Sequence, residues 1–256
     1  MKRNNPLNRD KKAKLNILIA KVGDLPEQAC PGQTVSGVSA APIRPESAAA
    51  RKLVATALHS FLGRTPAPGE LAGEMRAEGG KPYYPAFPDF HYNISHSGSY
   101  AVCAYCTQPV GIDLQKIPED PHRILLIAKR FFSSEEQEAL RELQGKNEPE
   151  AMCRLFCRYW TARESYIKLT GRGLAEPFEN FRPDLEKGVI LVLKKGGGDQ
   201  CPAGSEKESG SGIPASDPEG TAETFYLSEY PAPGGYCLTV CSTVPLQYEL
   251  ASPDDQ

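Results

Sequence analysis

Hydrophobic positions at three- and four-residue spacing mark two main helices. In Glu46–Leu62 they are Leu53, Val54, Ala57, Leu58 and Phe61, with Ser47 as a nearby cap and Gly63 as a stop. In Ala151–Thr170 they are Met152, Leu155, Phe156, Tyr159, Ile167 and Leu169, and Gly171 is the natural C-terminal stop. A third helical stretch, Arg123–Leu143, is broken near Phe131-Phe132-Ser133, where Ser133 or Ser134 followed by Glu136 or Gln137 makes a capping box. Apolar runs predict strands at Asn16–Val22, at Phe90–Tyr105 around a Ser-His-Ser-Gly turn, and at Val110–Leu114. Three more follow at Val189–Leu193, Thr224–Tyr230 and Gly235–Thr243. Strand, helix and antiparallel strands thus occur twice. The expected fold is α+β, a pseudo-twofold repeat of two similar α/β halves, each a small antiparallel sheet packed with helices. The halves divide near Gly111, as residues 1–110 and 111–256, and a site between them draws on both.

Two stretches break the pattern. Pro26–Pro45 is rich in Pro, Gly, Ser and Ala and gives little periodic signal. Lys195–Glu223 has almost no aliphatic content and cannot offset its ordering entropy by burial, so it is expected to be a disordered hairpin insertion.

Composition narrows the function classes. A chain of 256 residues, 40% hydrophobic, can build one large or two small cores. A net charge of −3 supplies no global positive field, so neither a nucleic-acid nor a membrane partner is expected. The basic N-terminus (Lys2, Arg3, Arg9, Lys11, Lys12, Lys14) precedes only the short apolar run Leu15–Ala20, too short for a secretory segment. The expected compartment is the cytoplasm, and the eight cysteines are then expected as buried free thiols. The pairs Cys103/Cys106, Cys153/Cys157 and Cys237/Cys241 invite a zinc site, but none carries the Gly-rich knuckle usual for one.

Three elements carry chemistry. Trp160, Glu164 and Lys168 fall four residues apart and form one helical stripe. Glu164 and Lys168 are either a surface ion pair or part of a site. Asp113 ends a short apolar strand after Gly111, where it either starts a turn or offers a ligand. Converging, Asp113 and Glu164 would give two hard oxygen ligands of the kind Mg²⁺ takes beside substrate phosphates, with Lys168 as a point charge next to them. In Phe90–Gly98, His96 lies between two serines in a Gly-terminated turn. Such a cluster of donors suits phosphate, or is simply a hydrogen-bonded turn.

Together these segments resemble the Sfp-type 4′-phosphopantetheinyl transferases. The resemblance runs through Gly80-Lys81-Pro82 into Phe90–Gly98, then Gly111-Ile112-Asp113, then Trp160–Lys168 continuing into Gly171–Leu174. The Phe131-Phe132-Ser133 break and the final Gly-Gly-Tyr-Cys strand also fit. It covers about residues 46 to 243, with the insertion excluded. It implies transfer of the phosphopantetheine arm of coenzyme A to a serine of an apo acyl or peptidyl carrier protein; one chain carrying both halves is expected to act as a monomer. By position it implies Asp113 and Glu164 as Mg²⁺ ligands, Glu164 as base, and Lys168, Ser95 and His96 on the phosphates. Gly80, Lys81 and Pro82 match the adenine loop, and Arg51, with Lys52 beside it, matches the neighbourhood of the 3′-phosphate.

The chain departs from the family at three places. Gln115 stands where many members have a third acid, so a water or its amide oxygen takes that metal position. Arg163 replaces the usual Lys before the catalytic Glu and keeps the charge. The region before the first helix is short, leaving Lys21 or Arg44 as the candidates to reach the 3′-phosphate. The rival classes are a non-catalytic CoA- or nucleotide-binding module, a metal-dependent phosphohydrolase and a zinc-stabilised interaction protein. Asp113, Glu164 and Lys168 together speak against the first. The scarcity of acidic or histidine ligands near Asp113 speaks against the second, and the third rests on the cysteine pairs alone.

Overall fold

A computed structural model describes residues 13–24, 44–173, 177–193 and 224–248. Most of Pro26–Pro45 and all of the 195–223 stretch lie outside them. The first half begins with β1 (Ala13–Lys21) and α1 (Pro45–Leu62), followed by a short turn of helix, α2 (Pro68–Leu71), and a small hairpin, β2 (Met75–Arg76) with β3 (Pro82–Tyr83). It ends in a second hairpin, β4 (His91–Ser97) with β5 (Tyr100–Cys106). The second half contains β6 (Val110–Lys116), α3 (Pro121–Phe131), α4 (Ser134–Gly145) and α5 (Pro149–Thr170). After a 3-10 turn at Phe178–Asn180 come β7 (Phe181–Asp184), β8 (Val189–Val192), β9 (Phe225–Glu229), β10 (Tyr236–Ser242) and β11 (Leu246–Tyr248).

Two main sheets result, in the orders β11-β1-β5-β4 and β6-β10-β9-β8-β7. Their connectivity repeats. β1 pairs antiparallel with β5, which pairs with β4. β6 likewise pairs antiparallel with β10, which pairs with β9. In the first half α1 lies between β1 and the β4/β5 hairpin, whereas in the second three helices and the strands β7 and β8 lie between β6 and β9. β11 departs from this scheme: it returns to the first sheet and pairs parallel with β1, Ala13 opposite Leu246.

Side-chain alternation places the layers. On β6, Val110, Ile112 and Leu114 enter a core with Leu15, Val102, Ala104, Leu238 and Val240. α1 buries Leu53, Val54, Ala57 and Leu58 against β4 and β5, where Phe90, Tyr92 and Tyr105 complete the cluster. α3, α4 and α5 enclose a third core of Ile124, Phe132, Leu140, Met152 and Phe156.

Several predicted boundaries shift for local reasons. α1 starts at Pro45, whose fixed φ suits the first helical position; Arg44 is the cap residue and Ser47 lies inside the first turn. α3 starts two residues before the predicted Arg123, because the Asp120 carboxylate accepts from the His122 and Arg123 amides at 2.9 and 3.2 Å. The capping box forms between Ser133 and Glu136. Gly63 and Gly171 end their helices in the left-handed conformation, at φ 65° and 69°. Ser95, His96 and Ser97 are strand residues and not turn residues, since the reversal is confined to Gly98 and Ser99. Extended backbone sends their side chains to alternate sides.

Among the described cysteines, Cys103, Cys106, Cys153, Cys157, Cys237 and Cys241 are buried and free. Among the described residues no group of three or more His, Cys, Asp or Glu side chains is arranged to hold a metal, and no helix is long and apolar enough to cross a membrane.

Candidate active site

The site is built where α5 crosses β6. Gly111 makes that approach possible: a Cβ there would lie 2.1 Å from the Ser165 carbonyl oxygen and 2.4 Å from the Leu169 amide nitrogen. With no side chain in the way, α5 sits directly on the strand. Glu164 and Lys168, one turn apart, are thereby brought beside Asp113, two residues beyond Gly111 on the same face of β6. Gly111→Ala is expected to push helix and strand apart, costing about 1–3 kcal/mol, because the obstruction is backbone and cannot repack. Urea denaturation measures that loss.

A second tie holds α5 in place. The Thr161 and Thr239 hydroxyls hydrogen-bond to each other at 2.8 Å, both buried, and Thr239 is the cross-strand partner of Asp113. A turn earlier, the Cys157 thiol lies 3.5 Å from the Gln115 carbonyl oxygen. It also hydrogen-bonds Cys237, a contact that with burial pushes the Cys157 thiol up.

At the centre, the Ser95 hydroxyl donates to Asp113 Oδ1 at 2.8 Å. Lys168 Nζ lies 2.6 Å from the same oxygen and 2.9 Å from Ser95 Oγ. Asp113 is 5% exposed and Ser95 likewise, so this cluster lies largely out of water. Glu164 is half-buried, and burial first, then the negative charge of Asp113, raise its carboxyl above the ordinary range, with Lys168 opposing. Two carboxylates share one small volume with one lysine.

The other sequence-derived positions are distributed around this centre. His96 is exposed, because alternation on β4 turns it away from Ser95. Arg51 is exposed on α1 and Lys52 half-buried beside it. Gln115 Nε2 donates to its neighbour, the Lys116 carbonyl, at 3.1 Å. Lys81 is engaged inside the fold: its Nζ donates to the Val110 and Leu169 carbonyls, both at 2.9 Å, and burial holds its amine down at about 8. The loop before it runs against the end of α5, where a Cβ on Gly79 would meet the Gly171 carbonyl oxygen at 1.6 Å. Gly80 has φ 80°, and Pro82 opens β3.

Two further residues of α5 pack inside the fold. Arg163 does keep its charge, but the charge is buried in an ion pair with Glu136 at 2.5 Å and does not join the site. Trp160 stacks with Phe156 and Phe178 and edges against Phe131, so the first member of the stripe packs, partly buried, against the helical core. Sequence reasoning missed Asn93 and Ser97, which bridge β4 to β6, although their two-residue spacing with Ser95 was a legible signal.

Comparison with known proteins addresses the same segments. Residues 109–216 match the family model of the 4'-phosphopantetheinyl transferase superfamily. A 4'-phosphopantetheinyl transferase of Bacillus subtilis is 39% identical over 150 residues, which are 58% of this chain and 62% of the relative. This part of the chain is similar to the 4'-phosphopantetheinyl transferases. The 4'-phosphopantetheinyl transferase Sfp of Bacillus subtilis (strain 168) is 32% identical over 169 residues, 66% of this chain and 62% of that one. The 4'-phosphopantetheinyl transferase HetI of a Nostoc species is 35% identical over 132 residues, 50% and 52% of the two chains. The match thus spans about three fifths of the length of the first of these relatives. Asp113, Gln115, Glu164 and Lys168 fall inside the superfamily segment, whereas Arg51, Lys81, Ser95 and His96 precede it.

Proposed function

We propose that the chain transfers the 4′-phosphopantetheine group of coenzyme A to the serine hydroxyl of an apo acyl or peptidyl carrier protein, releasing 3′,5′-ADP. The observation that carries this is the meeting of the buried Asp113 and Ser95 with the partly exposed Lys168, with Glu164 in the field of Asp113. The donor set also fits Mg²⁺, which commonly takes one or two carboxylates and completes its shell with water and phosphate oxygens. Asp113 and Glu164 would hold the ion, with Gln115 or a water at the third position. When bound, the ion would neutralise charge on the pyrophosphate.

The protein side chains then divide the work. Lys168 and Ser95 already share a hydrogen bond and both can donate to pyrophosphate oxygens. Glu164 is the base: a carboxylate disfavoured in its charged form by burial has reason to accept the proton of the incoming serine. The serine oxygen bonds the β-phosphorus, the bond from that phosphorus to the bridging oxygen breaks, and the electron pair leaves with 3′,5′-ADP. His96 and the backbone of Gly80, Lys81 and Pro82 line the coenzyme, while Arg51 and Lys52 reach toward its 3′-phosphate. In this assignment residues 1–110 form the nucleotide side and 111–256 the metal side of a pseudo-twofold pair, acting as a cytoplasmic monomer without nucleic-acid or membrane partners.

Release of 3′,5′-ADP from coenzyme A, followed by chromatography, tests the reaction: it is expected only when carrier and Mg²⁺ are both present. ADP released without a carrier would point to hydrolysis. The direction of the Glu164 shift adds a pH prediction. Its carboxyl must be deprotonated to ligate, so Mg²⁺ uptake releases protons and weakens as pH falls through the raised value. Calorimetry in buffers of different ionisation enthalpy is expected to show that release beginning above the ordinary carboxylate range of about 4.3. Binding without proton exchange across that range would remove Glu164 from the metal site.

A further inference from the structure

β6 is an edge strand of its own sheet, paired with β10 on one side only. Its other edge faces the first half, and there the contacts are made by side chains. Lys81 Nζ donates to the Val110 carbonyl at 2.9 Å. Asn93 Oδ1 accepts from the Ile112 amide at 2.9 Å. Ser95 Oγ donates to Asp113 Oδ1 at 2.8 Å, and Ser97 Oγ accepts from the Lys116 amide at 2.9 Å. The partners ascend together along both strands, so β4 and β6 run in the same sense, a side chain's width apart. Asn93, Ser95 and Ser97 occupy one face of β4 at period two and serve as a substitute ladder.

We infer that Asn93 is a positioning residue for the transfer reaction, fixing β6 against β4 so that Asp113 meets Ser95 and Lys168. This rests on the function proposed above. Asn93 is 6% exposed, and its partner amide belongs to the residue immediately before Asp113. Ile112 is itself fully buried among Leu15, Val102 and Leu238. Apolar packing holds the strand sideways but is non-directional, so displacement along the strand is resisted by the hydrogen bonds. Ser95 and Lys168 are needed on phosphate during the reaction. Asn93 is buried and bonded to backbone, which leaves it free to hold the register while they work.

The test compares N93L, of similar shape without an acceptor, with N93D, which keeps Oδ1. Three readouts are taken at a temperature where each is folded: kcat and KM for transfer, CoA affinity by calorimetry with and without Mg²⁺, and Tm. N93L is expected to lose about 10- to 100-fold in kcat, the usual effect of a displacement near 1 Å, and to lose the Mg²⁺-dependent gain in CoA affinity. N93D is expected to restore both toward wild type. A lowered Tm in N93L with unchanged kcat and Mg²⁺ dependence makes Asn93 merely structural and overturns the inference. Should N93L not fold, N93A, which leaves space and no clash, takes its place under the same criteria. Wild-type protein that binds CoA without transferring it would sink the transferase reading instead, and the Mg²⁺-dependent affinity of N93L would still decide the positioning role.

Discussion

Glu164→Gln is expected to abolish transfer while raising the Tm of the ligand-free protein. The loss in rate is at least about 10²-fold, the usual contribution of a positioned general base or a preorganised charge. The gain in stability follows from the direction of the shift. Burial and the neighbouring Asp113 charge raise the Glu164 carboxyl in the folded state above its unfolded value. Between those two values the unfolded chain is the one that loses its proton first, so stability falls as pH rises through the window. Above the raised value the full penalty is present. The amide has no charge to desolvate, and Lys168 keeps Asp113 as its partner at 2.6 Å. Differential scanning fluorimetry without CoA or metal should show the variant melting higher at pH 7, with the difference shrinking toward acid. A lower Tm in the variant would mean that Glu164 is an ordinary stabilising ion-pair member, as the bare i, i+4 spacing allows.

Glu136→Ala is expected to cost about 3–5 kcal/mol, the range for breaking a buried ion pair from one side. Arg163 and Glu136 are 1% and 2% exposed, 27 residues apart in sequence, and joined at 2.5 Å. The guanidinium also donates to the Phe178 and Phe181 carbonyls, each at 3.1 Å, and lies 5.4 to 5.7 Å from the rings of Phe132, Phe178 and Phe181. Glu136 Oε2 further accepts the Ser133 amide at 2.7 Å, closing the cap of α4. Removing the carboxylate strands a charge in an aromatic cage and opens that cap. Against a total stability of about 5–15 kcal/mol, the loss is about a fifth or more.

Each partner retains a buried polar atom without a hydrogen bond among the described residues, Glu136 Oε1 and Arg163 Nε. The pair is therefore an incompletely satisfied one, and replacing both members by apolar side chains is expected to recover most of the loss. Urea denaturation of Glu136→Ala and of the double variant Glu136→Leu with Arg163→Met makes the comparison. The double variant should also keep its transfer rate, since Arg163 faces away from Glu164 and toward α4. A single variant within about 0.5 kcal/mol of wild type, the scale of ordinary surface changes, would contradict the buried pair.

Elements with strong local signals were legible from sequence. The apolar periodicity of α1 and α5, the glycines that stop them and the Ser133–Glu136 box all act within a few residues. β11 was not legible, because three residues offer no periodicity and their partner, β1, lies at the far end of the chain. The side-chain seam was only partly legible: the spacing of Asn93, Ser95 and Ser97 is visible, but not that a second strand runs beside them. The place of Arg163 was hidden for a related reason. A cation next to Glu164 suggests a charge for the site, whereas helix geometry turns adjacent residues about 100° apart and points this one into the core. Ser47 was outcompeted as a cap by Pro45, whose ring fixes the first helical φ. That Asp113, Glu164 and Lys168 could meet was legible as one of two readings, while the physical cause of their approach, the bare Gly111 under α5, required the fold.

The central claim is that this cluster moves a phosphopantetheinyl group. Intact-protein mass spectrometry of an apo carrier protein incubated with the chain, coenzyme A and Mg²⁺ tests it most directly. The expected result is a gain of one phosphopantetheinyl group per carrier, lost with EDTA and with Glu164→Gln. An unchanged carrier mass across acyl and peptidyl types, from protein that still binds coenzyme A, would contradict it and leave a coenzyme-binding module in its place.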